Sequence, residues 1–378
     1  MNNKIIVGIG AGIGVVIIAI SIFAITFDSG QNGIEPKIIT KNEKLGLVIN
    51  TPTSAVTIQQ LAQIYEDASL TGIGRSNVYM FWDIIEPEKG QYNFKETDIL
   101  MSLNRKHDIT VTLFFSIING KTLGPFPDWI GKPSLNAISE DNLVKVLDVI
   151  LSRYDIIDSV IIAGETDEHF RYQEESIPVY DELFNNVYDR IKEKHPDVKI
   201  GNAFSLHGVF NKNLEHIVEQ LTLGDFVAFT YFPVDSLNDI NKTPKEAKDD
   251  LEKALELVPN KKVAIFEISW STSDFVGGNP NQQVEFLNEI YDLYDENESK
   301  FEFFTWYRQY DRQAGICAID PQSVEGTVEV GGSSELGSSA FVMERLSNYI
   351  CSTGLINADG EPKPGWNEFK KQIQRVNS

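Results

Sequence analysis

Two glutamates close two apolar runs in this chain: Glu165 ends Val160-Ile161-Ile162-Ala163-Gly164, and Glu267 sits near the end of Val263-Ala264-Ile265-Phe266-Glu267-Ile268-Ser269-Trp270. Both runs are short and rich in β-branched and aromatic residues, the composition of a strand. Strand alternation places Val263, Ile265 and Glu267 on one face and Ala264, Phe266 and Ile268 on the other. Apolar residues on both faces are the mark of a parallel strand covered by helices. A carboxylate at the end of such a strand is costly to bury for structural reasons alone. Two carboxylates sharing one cavity can divide the work of acid and base, or of acid and nucleophile, between them. The question is which elements would bring them together.

Strand and helix patterns alternate from Leu45 onward. Strands are predicted at 45–50, 77–82, 109–117, 160–165, 198–204, 226–231, 263–268 and 301–307. Helices are predicted at 58–69, 95–106, 141–153, 176–194, 213–221, 244–257, 282–294 and 338–351. Strict alternation implies a parallel sheet, and eight units match a closed (β/α)8 barrel with loop insertions. An open doubly wound sheet is disfavoured because no Gly-x-Gly-x-x-Gly follows the first strand. In a barrel the C-terminal ends of the strands form the active face. Glu165 on strand four and Glu267 on strand seven would then face one mouth.

Residues 1–27 hold an uncharged apolar run from Ile5 to Phe27, preceded by Lys4 and followed by Asp28. That length suffices to span a bilayer, and the position of Lys4 keeps the short N-terminus inside. The expectation is a single N-terminal transmembrane helix acting as a signal anchor, a polar linker over 28–44, and an extracytoplasmic barrel over 45–378. The formal net charge of −22 leaves no basic stripe for nucleic acid and repels anionic polymers at long range, although a local site can override that. Five histidines and two cysteines without a Cys-x-x-Cys motif leave no metal site to propose, structural zinc included, and no cofactor is expected. Outside the cytoplasm Cys317 and Cys351 could form one disulfide. The sequence does not determine the oligomeric state.

Two carboxylates across a barrel mouth can cleave a glycosidic bond, one protonating the leaving oxygen while the other attacks the anomeric carbon. The segment Trp82-Asp83-Ile84-Ile85-Glu86-Pro87-Glu88-Lys89-Gly90-Gln91-Tyr92-Asn93-Phe94 resembles the Trp-x-x-Ile-Glu-Pro-x-x-Gly-x-Tyr-x-Phe stretch after the second strand of many retaining (β/α)8 glycoside hydrolases. Those belong to the clan with acid/base on strand four and nucleophile on strand seven, including xylanases, cellulases and β-galactosidases. Glu267-Ile268-Ser269-Trp270, Phe304-Thr305-Trp306-Tyr307 and the closing segment 354–364 resemble further segments of the clan. The resemblance covers nearly everything from Leu45 onward.

It implies Glu267 as nucleophile, Glu165 as acid/base, Tyr231 as a hydrogen-bond donor to the nucleophile, and Trp306 as the sugar-stacking platform. It also implies a structural turn role for Glu86. One departure stands out: relatives carry Asn before the acid/base, to bind the sugar 2-hydroxyl, and here the residue is Gly164. Asn202, His207 or Asn119 could supply that contact. His207, Trp129 and Trp270 are further candidates for substrate binding. The expected partner is an oligo- or polysaccharide. The alternatives are a degenerate barrel that binds surface glycans without turnover, and a transglycosidase acting on them.

Overall fold

The computed structural model describes residues 39–131, 134–313, 317, 328–329 and 340–378. The apolar run within 1–27 lies outside the described residues. Among those described, no helix is long and apolar enough to cross a membrane.

Eight parallel strands form the wall: β1 Asn42–Leu47, β2 Ile73–Tyr79, β3 Thr110–Asn119, β4 Ile157–Gly164, β5 Lys199–Ser205, β6 Phe226–Tyr231, β7 Lys262–Ile268 and β8 Phe301–Trp306. Each pairs with its sequence neighbours, and β1 also pairs with β8, so the sheet closes on itself. The expected (β/α)8 barrel is the observed fold. Around it run α1 Ile58–Ser69, α2 Lys95–Lys106, α3 Glu140–Arg153, α4 Ile177–Lys194, α5 Glu215–Gln220, α6 Pro244–Leu257, α7 Pro280–Asn297 and α8 Pro364–Val376. Their starts are written locally. Thr57 and Thr243 each close a capping box with a residue three places on, Gln60 and Glu246, which satisfies amide donors that the first turn leaves free.

The eighth wall helix differs from the expectation. Ala340–Cys351 does not complete the ring; α8 does, laying Phe369 against Tyr291 of α7 and bonding Gln372 to Asn288 at 2.7 Å. Gly365 permits this approach, because a Cβ there would fall 2.3 Å from the Gln283 side chain. Ala340–Cys351 instead lies by the barrel mouth, where its Tyr349 joins an aromatic group with Phe232 and Tyr307. The Tyr349 hydroxyl donates to the Ser269 carbonyl just after β7. A Cys317–Cys351 disulfide, Cα atoms 5.4 Å apart, ties this helix to the segment after β8.

Alternation along the strands decides what faces the barrel axis. Phe114, Ile161, Ala203, Phe226, Ala228, Ala264, Phe266 and Phe303 fill the interior, as stacked layers of inward side chains do in such barrels. At the floor Arg75 pairs with Asp158, donates to Thr112 and lies 4.8 Å from the Phe303 ring centroid. Several pairings slip in register, and the slip in β7 bears on the site. The pairing of β7 with both neighbours is irregular between Ile265 and Ile268, the mark of a β-bulge, which inserts an extra residue and re-aims the side chains beyond it. Strict alternation groups Glu267 with Val263 and Ile265, which pack outward. The bulge turns Glu267 to the axis instead, where it meets Tyr79.

Candidate active site at the barrel mouth

Glu267 is buried at the upper end of β7, 1% exposed. The Tyr79 hydroxyl, inward from the end of β2, donates to its Oε1. Two positions earlier on the same inward row, Asn77 donates to the Phe266 carbonyl at 2.8 Å, so β2 braces both backbone and side chain of the bulge. Burial pushes the Glu267 carboxyl far above the usual carboxylate range, while the Tyr79 hydrogen bond and the nearby Arg308 guanidinium work the other way.

Glu165 stands one residue beyond β4 in the left-handed region, φ 51° and ψ 48°. Few non-glycine residues adopt that conformation, and it stores strain of the kind found at functional sites. Its Oε1 accepts from Thr230 of β6 at 3.2 Å. Thr230 is paired in register with Glu267, so one hydroxyl sits on the strand between the two carboxylates and holds one of them. Burial raises the Glu165 pKa, and the charge of Glu267 raises it further. The donor from Tyr79 and the charge of Arg308 favour ionised Glu267 without outweighing burial, and its pKa stands at about 8 beside about 7 for Glu165. Ionised Glu267 in turn favours a proton on Glu165. Two carboxyls so placed hold a proton between them near neutrality, and a pair of that kind can act as nucleophile and general acid.

Gly164 has a packing cause. A Cβ at this position would lie 2.8 Å from the Phe114 ring. Phe114 stacks on Phe266 with centroids 5.4 Å apart and leans on Tyr79, so an aromatic floor occupies the space that an asparagine side chain would need. The Gly164 amide donates to Ser116 Oγ at 2.9 Å.

The structure moves several expected residues out of the site. Tyr231 points outward along β6 and its hydroxyl donates to Asp250 of α6 at 2.8 Å, not to Glu267; alternation alone carries that outcome, since Thr230 holds the inward place. Tyr79 donates to Glu267 in its place. Trp306 is fully buried outside the barrel against Phe286 of α7, and Trp270 packs on the same ring at 5.0 Å. Both are core residues that no sugar can reach. Asn202 also faces outward and accepts from the Tyr180 hydroxyl of α4. Asn119 is spent on the Gly124 carbonyl across a tight turn.

Trp129 donates to the Glu86 carbonyl at 3.0 Å and crosses Trp82 edge-on. It belongs to the turn in which the Glu86 carboxylate accepts from Trp82 and Gly90, as the turn reading of Glu86 anticipates. His207 lies near the mouth beside Ser205, stacked on Phe232. Burial, then the charge of Lys242, lowers its pKa to about 4 and keeps it neutral.

Sequence reasoning missed four groups. Tyr79 and Thr230 were accessible through alternation along β2 and β6. Tyr307 and Arg308 follow β8 and belong to the mouth, both within electrostatic reach of Glu267; the strand ends one residue before the predicted 307, and Arg308 lies beyond either bound. Asp167, two residues past Glu165, is fully buried. Its Oδ1 accepts from the Ser205 amide, and burial raises its pKa to about 7. Among the described residues no group of three or more His, Cys, Asp or Glu could hold a metal ion.

Fold and site together define a closed (β/α)8 barrel with two buried glutamates at the ends of β4 and β7. No protein-family model matches the chain, and no curated protein sequence matches it. Solved structures share its fold. A family 39 glycoside hydrolase from the gut symbiont Bacteroides cellulosilyticus superposes with a TM-score of 0.59 at 15% identity, covering 89% of this chain and 64% of that one. The chain thus spans less than two thirds of that protein. A GH5_18 variant from Bifidobacterium longum, in complex with Manβ1-4GlcNAc, gives 0.62 at 12% identity, over 88% of this chain and 78% of that one. Xylanase 10B from Thermotoga maritima gives 0.56 at 16% identity, over 88% and 95%. What is common to all three at these identities is the barrel.

Proposed function

We propose that the protein is a retaining glycoside hydrolase. The observation that carries this reading is the unequal treatment of two buried carboxylates at one mouth. Glu267 is braced by Tyr79 beside Arg308, and Glu165 is held by Thr230 in a strained turn. In the proposed cycle ionised Glu267 attacks the anomeric carbon while Glu165 protonates the departing oxygen. Glu165, now a base, then activates the water that releases the sugar from Glu267. The fold shared with three glycoside hydrolases supports the reading.

We further propose that the barrel works outside the cytoplasm on a membrane anchor. The apolar run before Asp28 supports the anchor. The Cys317–Cys351 bridge supports the compartment, since disulfides persist where the environment is oxidising.

A panel of aryl and natural glycosides tests the assignment, with the anomer of the first product read by NMR. Hydrolysis with retained configuration, lost in Glu267→Gln, is the expected result. Glycan binding without turnover, unaffected by either Glu→Gln change, would replace the enzyme with a carbohydrate-binding barrel.

A further inference from the structure

Downstream of β8, beyond Arg308, the chain carries a second guanidinium, Arg312, that the cycle above does not use. Arg312 is partly buried, yet its enclosed Nε and Nη2 have no hydrogen-bond partner among the described residues. The neighbouring acid is taken: Asp311 pairs with Lys363 at 2.6 Å and accepts from the Gly354 amide at 2.8 Å. Burial lowers the Arg312 pKa, and the charge of Arg308 lowers it further, so the two guanidiniums lie close enough to repel. Arg308 is 2% exposed and lies 4.5 Å from the ring centroid of Tyr307, to whose hydroxyl it donates. Tyr307 lies within electrostatic reach of Glu267 and of both arginines. A buried cation without its hydrogen bonds is costly, and a planar guanidinium fork matches a carboxylate or a sulfate oxygen pair.

The segment is rigid. The Gln309, Tyr310, Asp311 and Arg312 amides are each fixed, to Val48 O, Asn50 Oδ1, Ile356 O and Cys351 O at 2.7–3.0 Å. The backbone that carries the fork is therefore fixed before any ligand arrives.

We propose that Arg312, with Arg308 beside it, forms an anion-binding subsite next to Glu267, which selects a sugar carrying a carboxylate or a sulfate ester. This rests on the glycosidase reading for its setting at the cleavage point, but binding alone tests it. The overall charge of −22 repels polyanions at long range, so a single acidic group at the cleaved unit suits the site better than a densely charged polymer.

The experiment is calorimetric titration of the whole protein with D-glucuronate, glucose 6-sulfate and D-glucose, for wild type, Arg312→Gln and Arg312→Lys. Either acidic sugar should bind at least tenfold more tightly than glucose, and which one does identifies the group. Arg312→Gln should erase that preference. Arg312→Lys should keep part of it, since the charge remains without the fork. Equal binding of all three sugars by wild type overturns the proposal even if neither variant folds, as does a preference that survives Arg312→Gln. Hydrolysis of neutral glycosides with no acidic preference would sink the subsite and leave the glycosidase standing. An Arg312-dependent preference without any hydrolysis would do the reverse.

Discussion

The ends of β4 and β7 carry the same residue type to the same mouth by different means. Glu267 stays within the sheet: a bulge rotates it inward and β2 supports it at two points. Glu165 has left the sheet, sits in a left-handed turn and hangs from one threonine. The difference suits the chemistry each would do. A nucleophile must hold a fixed line to one carbon, and ionisation is what its neighbours promote. An acid/base must gain and lose a proton twice per cycle, and a single neutral hydroxyl opposes neither state strongly.

The comparison can be broken first at the carboxylates. Glu267→Gln should lose activity on every substrate, on the order of the ~10⁶-fold that accompanies removal of a covalent nucleophile. Glu165→Gln should lose about 10²- to 10⁴-fold on poor leaving groups and far less on nitrophenyl glycosides, whose departure needs no proton. Equal losses on both substrate types would remove the distinction between the two ends.

The floor offers a second test. Gly164→Asn should weaken the fold by about 1–3 kcal/mol through overpacking, read as a lower denaturation midpoint. Adding Phe114→Ala should recover part of that loss, because the clash is with this ring. Failure to recover would mean that Phe114 is not what excludes a side chain there.

Tyr79→Phe removes a hydrogen bond to a charged group, about 1.5–3 kcal/mol, and should lower kcat/KM by roughly 10- to 100-fold. Tyr231→Phe should leave turnover nearly unchanged, since its partner is Asp250.

The smallest effect sharpens the comparison through pH. The folded pKa of each glutamate lies above its ordinary 4.5. Folded protein therefore keeps protons that unfolded chain has lost, and stability falls as pH rises above about 4.5, by at most ~1.4 kcal/mol per pH unit for each group. Glu267→Gln removes its share, so its melting temperature should match wild type near pH 4 and exceed it increasingly toward neutrality.

How much of this was legible depended on whether a feature was periodic. The eight strands, most helices and the two glutamates follow from alternation and capping, which are local. The inward rows of β2 and β6 were equally legible, and reading them would have exchanged Tyr231 for Tyr79 and Thr230. The bulge in β7 was not: strict period two faces Glu267 outward, and only the pairing with β6 and β8 reverses it. Gly164 was legible as an anomaly but not as a consequence, because Phe114 lies fifty residues away along the chain. The true closing helix was missed because Ala340–Cys351 offers an equally good amphipathic pattern. Packing against α7, which no local pattern encodes, selects α8.

That closing helix has a further consequence. Asn377, just past α8, donates to the carbonyls of Thr40 and Gly72, so the last turn of the chain is fastened to the point where the first strand begins. The start of the first strand and the last helix therefore meet beneath the floor, and the mouth with its two glutamates opens at the opposite pole. A support joined through residue 39 would hold the barrel with its mouth facing away from that support.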